Sequence, residues 1–251
     1  MRELEKRLAK ELQRNIKVKI LESTAWSIPI QTIEVEYKPV KRTKMDVLMK
    51  MMLLSFQKAE FGNPEELSEL LLVDQLFIED IIHIMTRTGL IEKRENIISL
   101  TAKGLQQLEN GIFEEEQETK KYNLLFSPCH DAILQGEIKP ALDGEENLKL
   151  YRYLEKERIT KFASSMLAAG LKDSGVESEE GGVQTVVSEI ISTSELYIDD
   201  IPCLEFLLYN KEEDLLYARV WNTLLEQWDE KLETQLNEKE RVQWRKRYLD
   251  N

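Results

Sequence analysis

The chain has 251 residues, 42% of them hydrophobic and 32% charged, which is enough for one large or two ordinary domains with cores that need no covalent staples. Its net charge is −13, which argues against wholesale nucleic-acid binding, and no apolar run approaches the roughly 20 residues of a membrane span. Cys129 and Cys203 stand 74 positions apart, a spacing that gives neither a disulfide framework nor a metal-ligand pair. The opening Met-Arg-Glu-Leu-Glu-Lys-Arg lacks the apolar core of a secretory signal, so a cytoplasmic location is expected. The charge is unevenly spread. Residues 1–45 hold 11 Lys and Arg against 6 Asp and Glu, or 11 − 6 = +5, while the other 206 carry 23 − 41 = −18.

Residues 2–15 read as a charged helix whose Leu4, Leu8 and Leu12 form a narrow stripe for docking on a core or on a partner chain. Ile16, Val18 and Ile20 alternate with lysines, and Ile33-Glu34-Val35-Glu36-Tyr37 alternates again. Two paired strands are therefore expected, with a turn at Trp26-Ser27-Ile28-Pro29 and an end at Pro39. The basic Lys41-Arg42-Thr43-Lys44 leads into the next region.

From Met45 to Gln57 the pattern is helical, and Asn63 caps a second helix that opens on Pro64, Glu65 and Glu66. Asp74 caps a third, with Phe77, Ile78, Ile81, Ile82 and Met85 at helical spacing and Gly89 as its stop. Two short strands, Leu90-Ile91 and Ile97-Ile98-Ser99-Leu100, flank a turn at Lys93-Arg94-Glu95-Asn96, and Thr101 caps a closing helix. Thr88-Gly89-Leu90-Ile91-Glu92-Lys93, followed by Leu100-Thr101-Ala102-Lys103-Gly104 and Leu108, resembles the G-L-I … L-T-x-K-G … L ending common to many bacterial winged helix-turn-helix proteins. The resemblance covers residues 41–111 and leaves the function open; in a DNA reader of this kind the third helix would enter a major groove. Drawn with Phe77, Ile81 and Met85 inward, that helix shows Gln75, Leu76, Glu79, Asp80, His83, Thr86 and Arg87 outward. Two carboxylates facing a polyanion shift the balance toward a winged helix that binds protein, or one whose DNA contacts come from the wing and the basic lead-in.

Residues 112–121 read as a solvated charge run. A hairpin follows, from Tyr122–Phe126 through Ser127-Pro128-Cys129-His130-Asp131 to Leu134–Ile138, and then, after Gly144, a long helix from Glu145 to about Leu171, burying Leu148, Tyr151, Leu154, Ile159, Phe162, Met166 and Leu167. Asp173–Gly182 is an acidic, glycine-bearing loop expected to be mobile. Val183–Ile191 and Cys203–Tyr209 read as two strands, the latter turning at Asn210–Asp214 into Leu215–Val220. A last helix from Trp221 to Tyr248 would carry Trp221, Leu225, Trp228, Leu232 and Leu236 as one stripe, either core or partner interface. Its Trp244-Arg245-Lys246-Arg247 end fits the helix dipole better than nucleic acid.

The expectation is an α+β protein with segments 1–40, 41–111, 112–172, 173–182 and 183–251, the central winged-helix module being flanked by a helix and strand pair and by a mixed α/β region. Cys129-His130-Asp131 sets a nucleophile, a base and an acid side by side, yet adjacent side chains of an extended stretch point to opposite faces. No Gly-rich phosphate loop occurs, the two Cys and two His lack a seeding pair for zinc, and no cofactor or metal is expected. The first reading is a non-catalytic DNA-associated regulator or accessory subunit. Lys41, Arg42, Lys44, Lys93 and Arg94 would meet phosphates of double-stranded DNA, and Gln75, His83 and Arg87 its bases. The second is a protein-interaction module using Glu79, Asp80, Trp221, Leu225, Trp228 and Leu232 to hold a protein partner or a second copy, and the third is a metal-dependent nuclease.

Overall fold

The computed structural model describes residues 1–94, 97–139, 148–154 and 161–249. Glu95, Asn96, Gly144, Glu145 and Ile159 lie outside the described residues. Of the described residues 35% are helical and 40% lie in strands, so neither dominates and the fold is α+β. The strand pairings of Val18–Lys44 with Ile112–Glu116, Ile91–Arg94 with Ile97–Leu100, Lys120–Ser127 with Ala132–Leu134, Ser178–Glu180 with Val183–Asn210, and Leu215–Asn222 with both Val183–Asn210 and Gln227–Trp228 are all antiparallel. No helix among the described residues is long and apolar enough to cross a membrane. The chain divides into two compact units that do not follow contiguous segments. One comprises Met1–Val35, Tyr122–Ser174 and Ser192–Asn251, and the other Glu36–Lys121 and Gly175–Ile191.

Two long strands run through both units, β1 (Val18–Lys44) and β8 (Val183–Asn210). The expected strand pair of residues 16–37 is therefore a single strand. From Trp26 to Val35 almost every residue of β1 is buried, so the stretch is a strand covered on both faces, where alternation vanishes and a false turn is read. Pro39 does not end it, because a proline interrupts a ladder only where its missing N–H is needed. Likewise β8 is one strand where two were expected. The acidic loop before it holds a hairpin: β7 (Ser178–Glu180) pairs with Val183–Thr185 around Gly181 and Gly182, both at positive φ, the backbone a tight two-residue turn requires.

The second unit is built on local signals that were legible. Asp46 caps α2 (Val47–Lys58), accepting from the Leu48 amide at 2.8 Å. Asn63 caps α3 (Pro64–Leu71) through the Glu66 amide at 3.0 Å, and Glu66 reaches back to the Gly62 amide. Asp74 caps α4 (Gln75–Arg87), and Gly89 at φ +72° ends it. The strands β2 (Ile91–Arg94) and β3 (Ile97–Leu100) pair with Ile91 opposite Leu100, and Thr101 caps α5 (Ala102–Asn110). Residues 112–121 are not a bare charge run. Ile112–Glu116 forms β4, which pairs with β1 so that Lys41 faces Glu115 and Arg42 faces Glu114.

The Leu-Thr-x-Lys-Gly stretch has a mechanical reason here. Thr101 Oγ1 donates toward the carbonyls of Gly89 and Leu90, at 2.7 and 3.1 Å, and accepts from the Gly104 amide. Gly104 sits so close that an added Cβ would lie 2.1 Å from the Leu90 carbonyl oxygen. The end of α4, the entry to β2 and the start of α5 are thereby locked over a core of Met52, Leu53, Leu67, Ile78, Met85 and Leu90.

In the first unit α1 (Arg2–Leu12) docks Leu8 on Leu204, Phe206 and Leu208, as its stripe predicts. The strands β5 (Lys120–Ser127) and β6 (Ala132–Leu134) form a hairpin, with the return strand at Ala132–Leu134 rather than at the expected Leu134–Ile138. The described part of the expected long helix is not continuously helical. Residues 148–154 are extended or turning, with Leu150 bridged to Ser27, and among the described residues of the segment only Ser164–Asp173 is helical, as α6. Arg152 explains that geometry: its guanidinium grips the buried Glu205 with two bonds of 2.7 and 2.9 Å, and Trp26 Nε1 donates to the same carboxylate at 2.7 Å.

The last helix also starts later than expected. Trp221 ends β9 (Leu215–Asn222), Leu225 lies in a turn closed by Glu226 at φ +51°, and Trp228 lies on β10 (Gln227–Trp228). Asp229 then caps α7 (Glu230–Tyr248), which buries Leu232, Leu236 and Trp244. The Trp221–Leu236 helical stripe is thus corrected. Trp221 and Trp228 meet edge-on at 5.4 Å, a cross-strand contact, while Leu232 is core.

Candidate functional site

Three of the cations expected to meet DNA, Arg42, Arg87 and Arg94, have a carboxylate beside them. Arg42 Nε lies 2.7 Å from Glu114 and Arg87 Nη2 2.7 Å from Glu115, while Lys38 and Lys103 both bond to Glu116. Lys38 first, and Lys103 with it, hold the Glu116 carboxyl down at about 2. Arg94 pairs with Glu92 at 3.0 Å on β2, and Gln75 donates to Glu79 at 2.8 Å along α4. That leaves Lys41, Lys44, Lys93 and His83, all exposed, without a bonded partner among the described residues. The three consecutive acids of β4 are the missed element: registered against β1, they put Glu114 on Arg42 and Glu116 on Lys38, while Glu115 reaches Arg87.

The face shown by α3 and α4 is acidic and apolar together. Pro64–Arg87 contains six acids and one arginine, a balance of 1 − 6 = −5. Around the turn between these helices Leu72 is 91% exposed, Leu76 71% and Phe77 64%, with Leu70 beside them. Phe77 was expected inward; instead Ile78 and Met85 are the buried pair of α4. Both choices satisfy the helical period, and the fit against Met52, Leu53 and Leu67 selects the second. Glu79 and Asp80 stand exposed on the same helix.

Leu72 carries a further signal. It caps α3 at φ +55°, with its amide and that of Val73 both returning to the Ser68 carbonyl. A left-handed backbone costs a side-chain-bearing residue roughly 1–2 kcal/mol, and this position is ordinarily glycine or asparagine. A strained leucine that buries nothing within its own chain points to a use outside it. Leu72→Gly is expected to raise the melting temperature by about 2–4 °C, since relief of strain exceeds the entropy that glycine adds. A fall in thermal unfolding temperature would contradict this.

The first unit holds a buried polar chain. Ser127 Oγ lies 2.7 Å from His130 Nδ1, and His130 Nε2 lies 2.9 Å from Asp229 Oδ2. A carboxylate can only accept, so Nε2 donates to it. Asn222 Nδ2 donates to the same carboxylate at 2.8 Å, and the Leu232 amide to its other oxygen at 3.2 Å. Burial by itself would raise the Asp229 carboxyl; the His130 bond and charge, the Asn222 amide and the Leu232 N–H together leave it below its ordinary range.

Serine, histidine and carboxylate in line can activate a hydroxyl only where a substrate reaches it. Ser127 is fully buried and His130 and Asp229 nearly so. Cys129 beside them is inert, burial pushing its thiol up to about 12, and Asp131 is an exposed residue at φ +45°. The cluster is a clamp tying the β5–β6 turn to β9 and the start of α7. Sequence spacing could not bring together partners 99 positions apart, although Asp229 before Glu230 and Leu232 is a legible helix cap. Among the described residues no group of three His, Cys, Asp or Glu side chains is arranged to hold a metal ion. Comparison of the chain with protein-family models, with curated proteins and with solved structures finds no match in any of the three.

Proposed function

We propose that the second unit carries a winged-helix module, residues 41–111, which serves as a protein-docking module, and that its α3–α4 face holds a cationic amphipathic segment of a partner. The observation that carries this reading is one surface bearing exposed Leu72, Leu76 and Phe77 within a stretch that has five more acids than bases. Apolar anchors supply affinity at such a face, and the carboxylates select a partner rimmed with lysine or arginine. The reading of the module itself is supported by three helices, a two-stranded β-sheet and a closing helix in that order, with the Thr101 and Gly104 contacts that the sequence motif requires.

Direct DNA binding is the weaker reading for this surface. A polyanion gains affinity by releasing counterions to unneutralised Lys and Arg, and Arg42, Arg87 and Arg94 are ion-paired while the α4 face presents Glu79 and Asp80. The test is a fluorescently labelled helical peptide of leucine, alanine and lysine, titrated with the full chain. Binding is expected, weakening as salt is added, and Phe77→Asp is expected to lower affinity tenfold or more, about 1.4 kcal/mol. Equal binding by the parent chain and the variant would remove this face from the account.

A further inference from the structure

We infer that the segment accepted by the α3–α4 face is the α2 face of a second copy of this chain; the inference rests on the docking reading above. Helix α2, Val-Leu-Met-Lys-Met-Met-Leu-Leu-Ser-Phe-Gln-Lys, carries apolar residues on its solvent side as well as on its core side, with Lys50, Gln57 and Lys58 exposed beside them. Met49, Met52, Leu53 and Phe56 are buried in the core of their own unit, yet Val47, Met51 and Leu54 face solvent, Val47 being 72% exposed. These three recur at i, i+4 and i+7 and so form one stripe. An apolar stripe on the solvent side of a helix marks a surface for a partner.

Charge selects what covers it. The stripe runs with Lys50 and Lys58, and Val47–Lys58 contains no acid. The Asp46 carboxylate before it is turned onto the Leu48 and Met49 amides as the helix cap. A second α2 laid on the first would oppose lysine to lysine. The α3–α4 face offers the complement, with Leu72, Leu76 and Phe77 for the apolar stripe and carboxylates at Glu69, Glu79 and Asp80 for the two ammonium groups. Donor and acceptor faces are carried by different helices of one unit, so each copy presents both. The contact is heterologous, α2 of one copy on α3–α4 of the next.

The test is sedimentation of the full chain against concentration, with Met51→Glu and Phe77→Asp variants alone and mixed in equal amounts. Both substitutions are at exposed positions, and circular dichroism checks that each variant is folded; Leu54→Glu and Leu76→Asp serve as second members of each pair. The parent chain is expected to reach at least twice its 29.4 kDa mass by about 100 µM, where a micromolar Kd is saturated. Each variant alone is expected to associate at least tenfold more weakly. The mixture is expected to restore a 1:1 complex, because one variant retains an intact α3–α4 face and the other an intact α2 face. A parent chain that stays monomeric, or variants that fail to complement on mixing, overturns the inference. If the monomeric parent chain still binds the cationic peptide through Phe77, the docking reading stands and only the second copy falls; if it binds no peptide either, both fall.

Discussion

Gly104→Ala is expected to destabilise the second unit by about 3 kcal/mol or more, a large effect for one methyl group. The cause is steric and local. The new Cβ would stand 2.1 Å from the Leu90 carbonyl oxygen and 2.7 Å from Leu100 Cδ1. The leucine side chain can turn aside, but the carbonyl cannot, since it accepts from the Thr101 amide at 3.0 Å and from Thr101 Oγ1. Relief therefore requires α5 to move off β2 and to give up the cap that holds its first turn. Denaturant unfolding would measure the loss, and amide exchange at Met52, Leu53 and Ile78 would place it in the core that α5 covers. A loss under about 1 kcal/mol would mean that the two elements are looser than the contacts imply.

Asp229→Ala is expected to cost the first unit about 4 kcal/mol, because removing one partner of a buried polar network leaves the others unpaired. His130 Nε2 and Asn222 Nδ2 would both lose their acceptor, and α7 would lose its cap at the Leu232 amide. Asp229→Asn separates charge from shape and adds a pH signature. The carboxyl titrates below its ordinary value in the folded chain, so its stabilisation is fully present above the unfolded value near 4 and is lost as pH falls through the lower folded value. The stability advantage of the parent chain over Asp229→Asn should accordingly shrink as pH is lowered below about 4. An advantage unchanged down to pH 2 would assign the effect to hydrogen-bond geometry rather than to the ionised carboxylate.

What the sequence discloses and what it hides follow from the range of the interactions involved. The caps Asn63, Asp74 and Thr101, the stop at Gly89 and the β2–β3 pair were readable because each depends on a partner within a few residues. Strand β1 was misread as two because burial on both faces erased its alternation, and α7 was started early because Trp221, Leu225 and Trp228 mimic a helical stripe across a turn. The acidic face was legible on α4, but its apolar half was not, since the period alone could not choose between Phe77 and Ile78 as the buried residue. The carboxylates beside part of the expected basic patch were hidden for a different reason. Glu114 and Glu116, which bond Arg42 and Lys38, come from a strand some 70 residues further along, and only the register brings them alongside.

The central claim is that the α3–α4 face meets protein and not a polyanion. Amide NMR of the isotopically labelled chain, titrated in turn with the lysine-rich amphipathic peptide and with a short duplex DNA at low salt, tests it most directly. The account predicts that the peptide shifts the resonances of Leu70, Leu72, Leu76, Phe77, Glu79 and Asp80 and that the duplex leaves them in place. Shifts caused by the duplex at Lys41, Lys44, Lys93 and His83, with none caused by the peptide on α3 and α4, would contradict it.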